Sequence, residues 1–374
     1  QAETIYKQTV ENARIDEHFW SQLISSESPL IVIGANESTT GIDFITKLAG
    51  VLKAPIIAEP GSKLPASEYI IPGYSGFLRN SENRSGLKPD LILRFGSYPV
   101  SKGLQLLIEE NVDTMQFCFT VNDLSIDGDV PANRNIRLVN GLNIPDINGN
   151  GSPEWLKKWQ NISEQYSQFL NKTVTPSSPL TDGFIMKSAI RQSATDSFFM
   201  VSNSFPVRDV ALFSDFSGKE IFVNRGAAGI DGIISTAFGL SLASQKSGVL
   251  FIGDIAFLHD LNALLQAKYI TESLVIILFN NGGGTIFRML PVADLKETHQ
   301  QYFETPQDTL IVSLCRGFNV DHELVSKPEQ FATIYQRCIS SPGVHVIECI
   351  TDPDDSMNER HKLWDFSLSS KNEN

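Results

Sequence analysis

Residues 253–284 read "GDIAFLHDLNALLQAKYITESLVIILFNNGGG". The stretch opens with Gly-Asp straight after the apolar run "GVLFI" and closes with Asn-Asn and three glycines straight after "LVIILF". Two short apolar runs, each ending in polar and glycine residues and separated by a helix-like segment, read as buried strands joined by a crossover helix. Glycine at a strand end lets the backbone approach a ligand and present its N–H groups. Asp254 and Asn281 offer hard oxygen ligands, and a carbonyl of the glycine run offers a third. That set suits Mg²⁺, which keeps few protein ligands and takes the rest from phosphate and water. The plainer reading has Asp254 capping the next helix and Asn-Asn-Gly forming an ordinary turn. The occurrence of both elements at this spacing shifts the weight toward a metal–diphosphate cradle.

Outward from this stretch the same alternation continues. Strand-like runs at 29–35, 54–60, 89–97, 114–121 and 135–141 are interleaved with helical segments such as 40–52. A helical stretch over 152–172 and a Pro/Ser/Thr-rich linker over 173–183 follow. A second series begins with a helix over 183–194. It continues with strands at 197–204, 220–226, 248–254, 273–281 and 343–352, and helices over 232–244, 258–270 and 328–340. The expected fold class is α/β, with two doubly wound parallel-sheet domains covering 1–178 and 179–374. In such sheets ligands bind beyond the carboxyl ends of the strands. This places "NRGAAGIDG" (224–232), "GDIAF" (253–257) and "NNGGG" (280–284) in one crevice. The turn "IGANEST" (33–39) lacks GxGxxG, so the first domain reads as a Rossmann-like scaffold.

Composition bounds the partners. The 374 residues carry a formal net charge of −13, and no lysine/arginine-rich block interrupts it, so nucleic acid and anionic membrane are poor partners. No apolar run is long enough to cross a bilayer, and no leader pattern opens the chain. Cys118, Cys315, Cys338 and Cys349 form no CxxC pair, which fits reduced thiols in a cytoplasmic protein. The histidines show no zinc-ligand spacing.

Gly-Asp followed after about thirty residues by Asn-Asn resembles the diphosphate motif of thiamine-diphosphate (ThDP) enzymes, with Ile255 where that motif usually has glycine. Four blocks, "SNSFPVR" (202–208), "NRGAAGIDGIISTAFG" (224–239), "GDIAFLHDLNALL" (253–265) and "NNGGGTIFRMLP" (280–291), are similar to the 2-succinyl-5-enolpyruvyl-6-hydroxy-3-cyclohexene-1-carboxylate synthases of menaquinone biosynthesis (the MenD family). The resemblance implies a transferase that decarboxylates 2-oxoglutarate and adds the resulting carbanion to isochorismate, using ThDP with Mg²⁺ or Mn²⁺. It implies Asp254, Asn281 and the Gly283 carbonyl as metal ligands. Gly229, Ile230, Gly253 and Ile255 complete the implied cofactor site, with Ile230 under the bent cofactor. Ser204, Arg208 and Arg225 match positions that hold substrate carboxylates, while Ile286, Phe287 and Leu290 match the apolar pocket wall. Arginine suits dianionic substrates because it binds carboxylates in bidentate fashion.

Arg288 stays between a carboxylate contact and an exposed side chain, His259 between proton transfer and a structural role, and Asp231 and Asp260 read as helix-start residues. The family is a homodimer or homotetramer with the site between subunits. Its N-terminal, pyrimidine-binding domain supplies an activating glutamate. The present chain is expected to hold only the central and C-terminal domains, with no catalytic glutamate of its own, and to be inactive alone. Two other readings are a different ThDP-dependent 2-oxo acid decarboxylase or carboligase, and a non-catalytic nucleotide- or partner-binding module.

Overall fold

The computed structural model describes residues 17–35, 41–120, 132, 134–137, 144–147, 149–176 and 179–368. Most of the "IGANEST" turn, the first sixteen residues and the end of the run 135–141 lie outside this set. The chain divides into two compact units, Gln1–Phe169 with Trp364–Asn374 and Leu170–Leu363. The division falls inside the helix Pro153–Thr173, whereas the sequence suggests the linker after it.

The first unit holds a five-stranded parallel sheet: β1 (Pro29–Ile33), β2 (Ile56–Ala58), β3 (Leu91–Phe95), β4 (Met115–Thr120) and β5 (Arg134–Arg137), in the order β2-β1-β3-β4-β5. Every residue of β1 and β3 is buried, as expected for strands covered on both faces. Phe19, Phe44, Phe95 and Phe119 pack in the core on one face, the last two stacked with ring centroids 4.4 Å apart.

The second unit holds six parallel strands: β6 (Phe198–Val201), β7 (Glu220–Val223), β8 (Gly248–Gly253), β9 (Ser273–Asn280), β10 (Asp321–Val325) and β11 (Gly343–Ile350). Their order is β10-β11-β9-β8-β6-β7. From β6 the chain first steps outward to β7 and then back across to β8. The switch point, where loops from neighbouring strands diverge and leave a crevice, therefore lies at the carboxyl ends of β6 and β8. The two α/β parallel-sheet units are the fold class that the alternating runs imply.

Three departures have local causes. The helix expected over 258–270 is an α-helix, Asp254–His259, followed by a 3₁₀ run, Leu261–Tyr269. The break falls at Asp260 (φ −123, ψ 24), whose carboxylate accepts the Ser235 N–H and hydroxyl at 2.7 and 2.9 Å. It thereby satisfies the start of the helix Ile233–Ser244. The helix Phe205–Phe213 has eight of its nine residues buried, so no amphipathic period marks it. The edge strand β10, "DHELV", is largely polar and only its last residue is buried.

The helix Pro353–Trp364 returns toward the switch point and carries Arg360, 1% exposed. Arg360 donates from Nε to Asp209 and from Nη2 to both Asp209 and Asp182. Its guanidinium lies 3.8 Å from the Phe205 ring centroid. The neighbouring Glu359 is also buried, and its Oε2 has no hydrogen-bond partner among the described residues. Burial pushes its carboxyl up to about 7, with the Thr181 hydroxyl and Arg360 pulling the other way. The folded protein thus holds a proton that the unfolded chain releases above a pH of about 4.3. Stability attached to this group is present below that pH, falls as pH rises to about 7 and stays lower above it. Glu359→Gln is expected to exceed the unmutated chain in urea stability at pH 8 by roughly 1–3 kcal/mol and by a clearly smaller margin at pH 5. Equal differences at both pH values would show that Glu359 is charged throughout.

Candidate functional site

A cavity of about 360 Å³ opens at the switch point. It is lined by residues following β6 (Asn203, Ser204, Arg208), β7 (Arg225, Ala228, Ile230), β8 (Gly253, Asp254, Ile255) and β9 (Asn281, Gly283, Ile286, Phe287). The three strand-end clusters therefore share one crevice, and "SNSFPVR" joins them. Two anticipated members fall outside the lining. Gly229 is not among the lining residues, though its carbonyl accepts the Nδ2–H of the lining Asn203 at 2.6 Å. Leu290, 46% exposed, lies beyond the rim.

Asp254 sits at the first position of its helix, but its side chain does not cap that helix in the usual way. Oδ1 accepts the adjacent Ile255 N–H at 2.7 Å, and Oδ2 reaches across to the Gly283 N–H, also at 2.7 Å. Burial pushes its carboxyl up, Asp182 adds to that push, and the backbone amides of Ile255, Gly283 and Gly282 hold it back. Asn281 donates from Nδ2 to Asp182 Oδ2 at 3.3 Å, which leaves its amide oxygen for another partner. The Gly283 carbonyl accepts the Thr285 N–H at 2.8 Å and keeps a second lone pair. A Cβ built on Gly253 would meet nothing within 4 Å, so the strand end faces open cavity. One carboxylate, one amide oxygen and one carbonyl around an open space fit a hard cation that takes its remaining ligands from phosphate and water.

The cationic side is organised by Asn203. Its Nδ2 donates to the carbonyls of Asn224 and Gly229, and its Oδ1 accepts Arg225 Nη1 at 2.7 Å. A buried amide thus stitches the loop after β7 to the end of β6 and holds one edge of the Arg225 guanidinium. Arg208 Nη1 donates to the Ser204 carbonyl at 2.7 Å. Ser204 itself has φ 72 and ψ −135, outside the helical and strand regions. Among the described residues, three of the seven non-glycine residues with positive φ, Ser204, Ala228 and Thr305, line this cavity. Two of the others, Lys53 and Gln245, are helix C-caps. Strain collects where loops aim side chains at a shared space.

Several lining residues carry no signal legible in the sequence. Asp182 comes from the start of the helix Asp182–Gln192 and Asp209 from the helix Phe205–Phe213, both held by Arg360. Phe303 and Thr305 come from a π-helical turn, Gln300–Glu304, and its exit. That turn packs on the glycine run: the Gly284 N–H donates to the Glu304 carbonyl at 2.7 Å. Of the residues left open earlier, Arg288 pairs with Glu304 and Asp354 and does not line the cavity. His259 is exposed at the end of its helix.

Residues 209–349 match the family model described as thiamine pyrophosphate enzyme, C-terminal TPP binding domain. The chain is also similar to proteins named 2-succinyl-5-enolpyruvyl-6-hydroxy-3-cyclohexene-1-carboxylate synthase. The relative from Lactococcus lactis subsp. cremoris is 34% identical over 91% of this chain and 62% of its own length. That from Oceanobacillus iheyensis is 31% identical over 90% and 59%, and that from Geobacillus kaustophilus 32% identical over 92% and 61%. The chain therefore spans about 60% of the length of these curated relatives.

The packing of the glycine run predicts its tolerance to mutation. A Cβ on Gly283 (φ +117) would lie 2.1 Å from the Glu304 carbonyl oxygen, whereas one on Gly282 (φ +86) would meet nothing within 4 Å. Gly282→Ala is expected to cost about 1 kcal/mol, the conformational penalty alone. Gly283→Ala should cost roughly 2–4 kcal/mol, because backbone must also shift. Urea unfolding of the two variants checks this, and equal losses would show that the turn 300–304 does not rest on Gly283. On the matches above, the chain is similar to the 2-succinyl-5-enolpyruvyl-6-hydroxy-3-cyclohexene-1-carboxylate synthases over about 60% of their length, and its residues 209–349 resemble the C-terminal binding domain of thiamine pyrophosphate enzymes.

Proposed function

We propose that the cavity holds the diphosphate end of ThDP and that the whole protein is a synthase acting on 2-oxoglutarate and isochorismate. The observation that carries this is the convergence of Asp254, Asn281 and the glycine run with two arginines around one opening at the switch point. Asp254, the Asn281 amide oxygen and the Gly283 carbonyl would bind Mg²⁺ or Mn²⁺ carrying the diphosphate. Ile230 and Ile255 give the opening an apolar side, suited to the rest of the cofactor. When bound, ThDP supplies an electron sink for decarboxylation of a 2-oxo acid.

The chain's own part is to bind and orient. Arg225, fixed by Asn203, and Arg208, fixed by Ser204, would take carboxylates of an organic-acid substrate. Ile286 and Phe287 would exclude water from the opposite wall. Each lining carboxylate is already engaged, Asp182 and Asp209 by Arg360 and Asp254 by backbone amides. None is thus placed to activate a pyrimidine ring, and in this reading that carboxylate comes from another part of the functional protein, across a homodimer or homotetramer interface.

Two substitutions separate the roles. Asp254→Ala is expected to abolish Mg²⁺-dependent ThDP binding in calorimetric titration while circular dichroism keeps the α/β signature. Unchanged affinity would sink the cradle assignment and favour a module for some other ligand. Arg225→Ala in the full-length protein should lower kcat/KM for the organic acid by about ten- to a hundredfold, the loss of one charge-assisted contact. The ThDP requirement should stay near normal. A change in ThDP affinity alone would move Arg225 to the cofactor side.

A further inference from the structure

Arg288 lies at the end of the short 3₁₀ turn Thr285–Met289 that follows the glycine run. Its Nε donates to Glu304 Oε1 and its Nη1 to Asp354 Oδ1. The Glu304 side chain is nearly buried, and the same Oε1 lies 3.9 Å from His299 Nδ1. The same residue's carbonyl accepts the Gly284 N–H. Glu304 therefore grips the glycine run through its backbone and Arg288 through its side chain. One residue earlier, the Phe303 ring meets Phe287 edge to face, with centroids 5.7 Å apart, and stacks on His299. Phe303 and Phe287 both line the cavity. The turn 300–305 is thus a strap laid over the glycine run, with a carboxylate fastening on the outside and an aromatic wall on the inside.

The fastening is needed because little else ties the strap down. Tyr302, in its middle, is 68% exposed, and Leu295, in the turn before it, is 61% exposed. An exposed apolar segment held by few buried contacts opens locally at low cost. An ion pair from a planar guanidinium to a carboxylate fixes both distance and direction, so Arg288 decides how firmly the Glu304 carbonyl holds Gly284. Gly284 adjoins Gly283, whose N–H is the partner of Asp254.

We propose that Arg288 is a positioning residue: through Glu304 it holds the strap 300–305 on the glycine run, and so sets both the geometry that Gly283 offers to a metal-bound diphosphate and the separation of Phe287 from Phe303. The diphosphate part rests on the function proposed above; the strap part does not.

The test compares the unmutated chain with Arg288→Ala, Arg288→Lys and Glu304→Gln in two measurements. The first is hydrogen–deuterium exchange of peptides covering 281–290 and 298–306. The second is calorimetric titration with Mg²⁺ and ThDP. Arg288→Ala and Glu304→Gln should speed exchange in both peptides and weaken ThDP binding by about tenfold. Arg288→Lys, which keeps the charge, should recover part of both effects. The thermal midpoint should move little, since one partly exposed ion pair contributes little to global stability. Exchange and affinity equal to the unmutated chain in Arg288→Ala would overturn the proposal. So would Glu304→Gln behaving like the unmutated chain, because the carboxylate would then not be what fastens the strap. If the unmutated chain fails to bind ThDP, the diphosphate reading falls with its part of the inference, and exchange alone decides on the strap.

Discussion

A single buried guanidinium holds the candidate site in register. Arg360 joins three elements far apart in the chain: its own helix, the helix start at Asp182 and the helix that carries Asp209. All three residues are at most 3% exposed. Removing one partner from such a group leaves a charge buried without compensation, which costs roughly 3–5 kcal/mol. Burial pushes the Asp209 carboxyl up while Arg360 draws it back, and the same contacts with Asp209 and Asp182 raise Arg360 against the cost of its own burial. The triad is better understood as a register device than as a source of stability. It ties the start of the helix Asp182–Gln192 to the middle of the helix Phe205–Phe213, and Asp182 in turn accepts from Asn281.

That arrangement also sorts the charge around the cavity. The whole chain is acidic, with a net charge of −13, yet an anionic ligand needs a locally favourable surface. Asp182 and Asp209 share Arg360, so part of their negative charge is answered from behind the wall. Besides these two, the charged residues that line the opening are Asp254, at the end of β8, and Arg208 and Arg225, after β6 and β7. The carboxylate and the arginines belong to different strand ends, so a cation–diphosphate and an organic anion can occupy adjacent places without competing for the same groups.

The parts of this site that the sequence reveals are those that one strand end carries alone. Gly253-Asp254 and Asn280-Asn281 each follow an apolar run, and the run announces the strand while the polar residues announce its end. The strands of both sheets are legible for the same reason, apart from β10, which lies at an edge and needs no apolar face. The helix Phe205–Phe213 is hidden because burial on all sides erases its period. Asp182, Phe303 and Glu304 are hidden for a different reason. Their roles depend on contacts with residues tens to hundreds of positions away, as in Arg360 with Asp182 or Glu304 with Gly284. Arg288 shows the limit clearly: its type suggests a ligand contact, and only packing reveals two carboxylates of the protein itself as its partners.

Asp254 then explains why the glycine run is so constrained. A buried carboxylate is costly to keep charged, and here three backbone amides offset part of that cost. Those amides come from the helix start and from the glycine run, so the charge is stabilised only while the run keeps its positive-φ path at Gly282 and Gly283. The path in turn is pinned by the Glu304 carbonyl, which leaves no room for a side chain at Gly283. Backbone conformation, strap and carboxylate therefore form one mechanical unit. A divalent cation arriving at Asp254 would remove the remaining desolvation penalty without the loop having to move, and preorganisation of that kind is what lets a small set of neutral and anionic oxygens hold a hydrated metal–diphosphate.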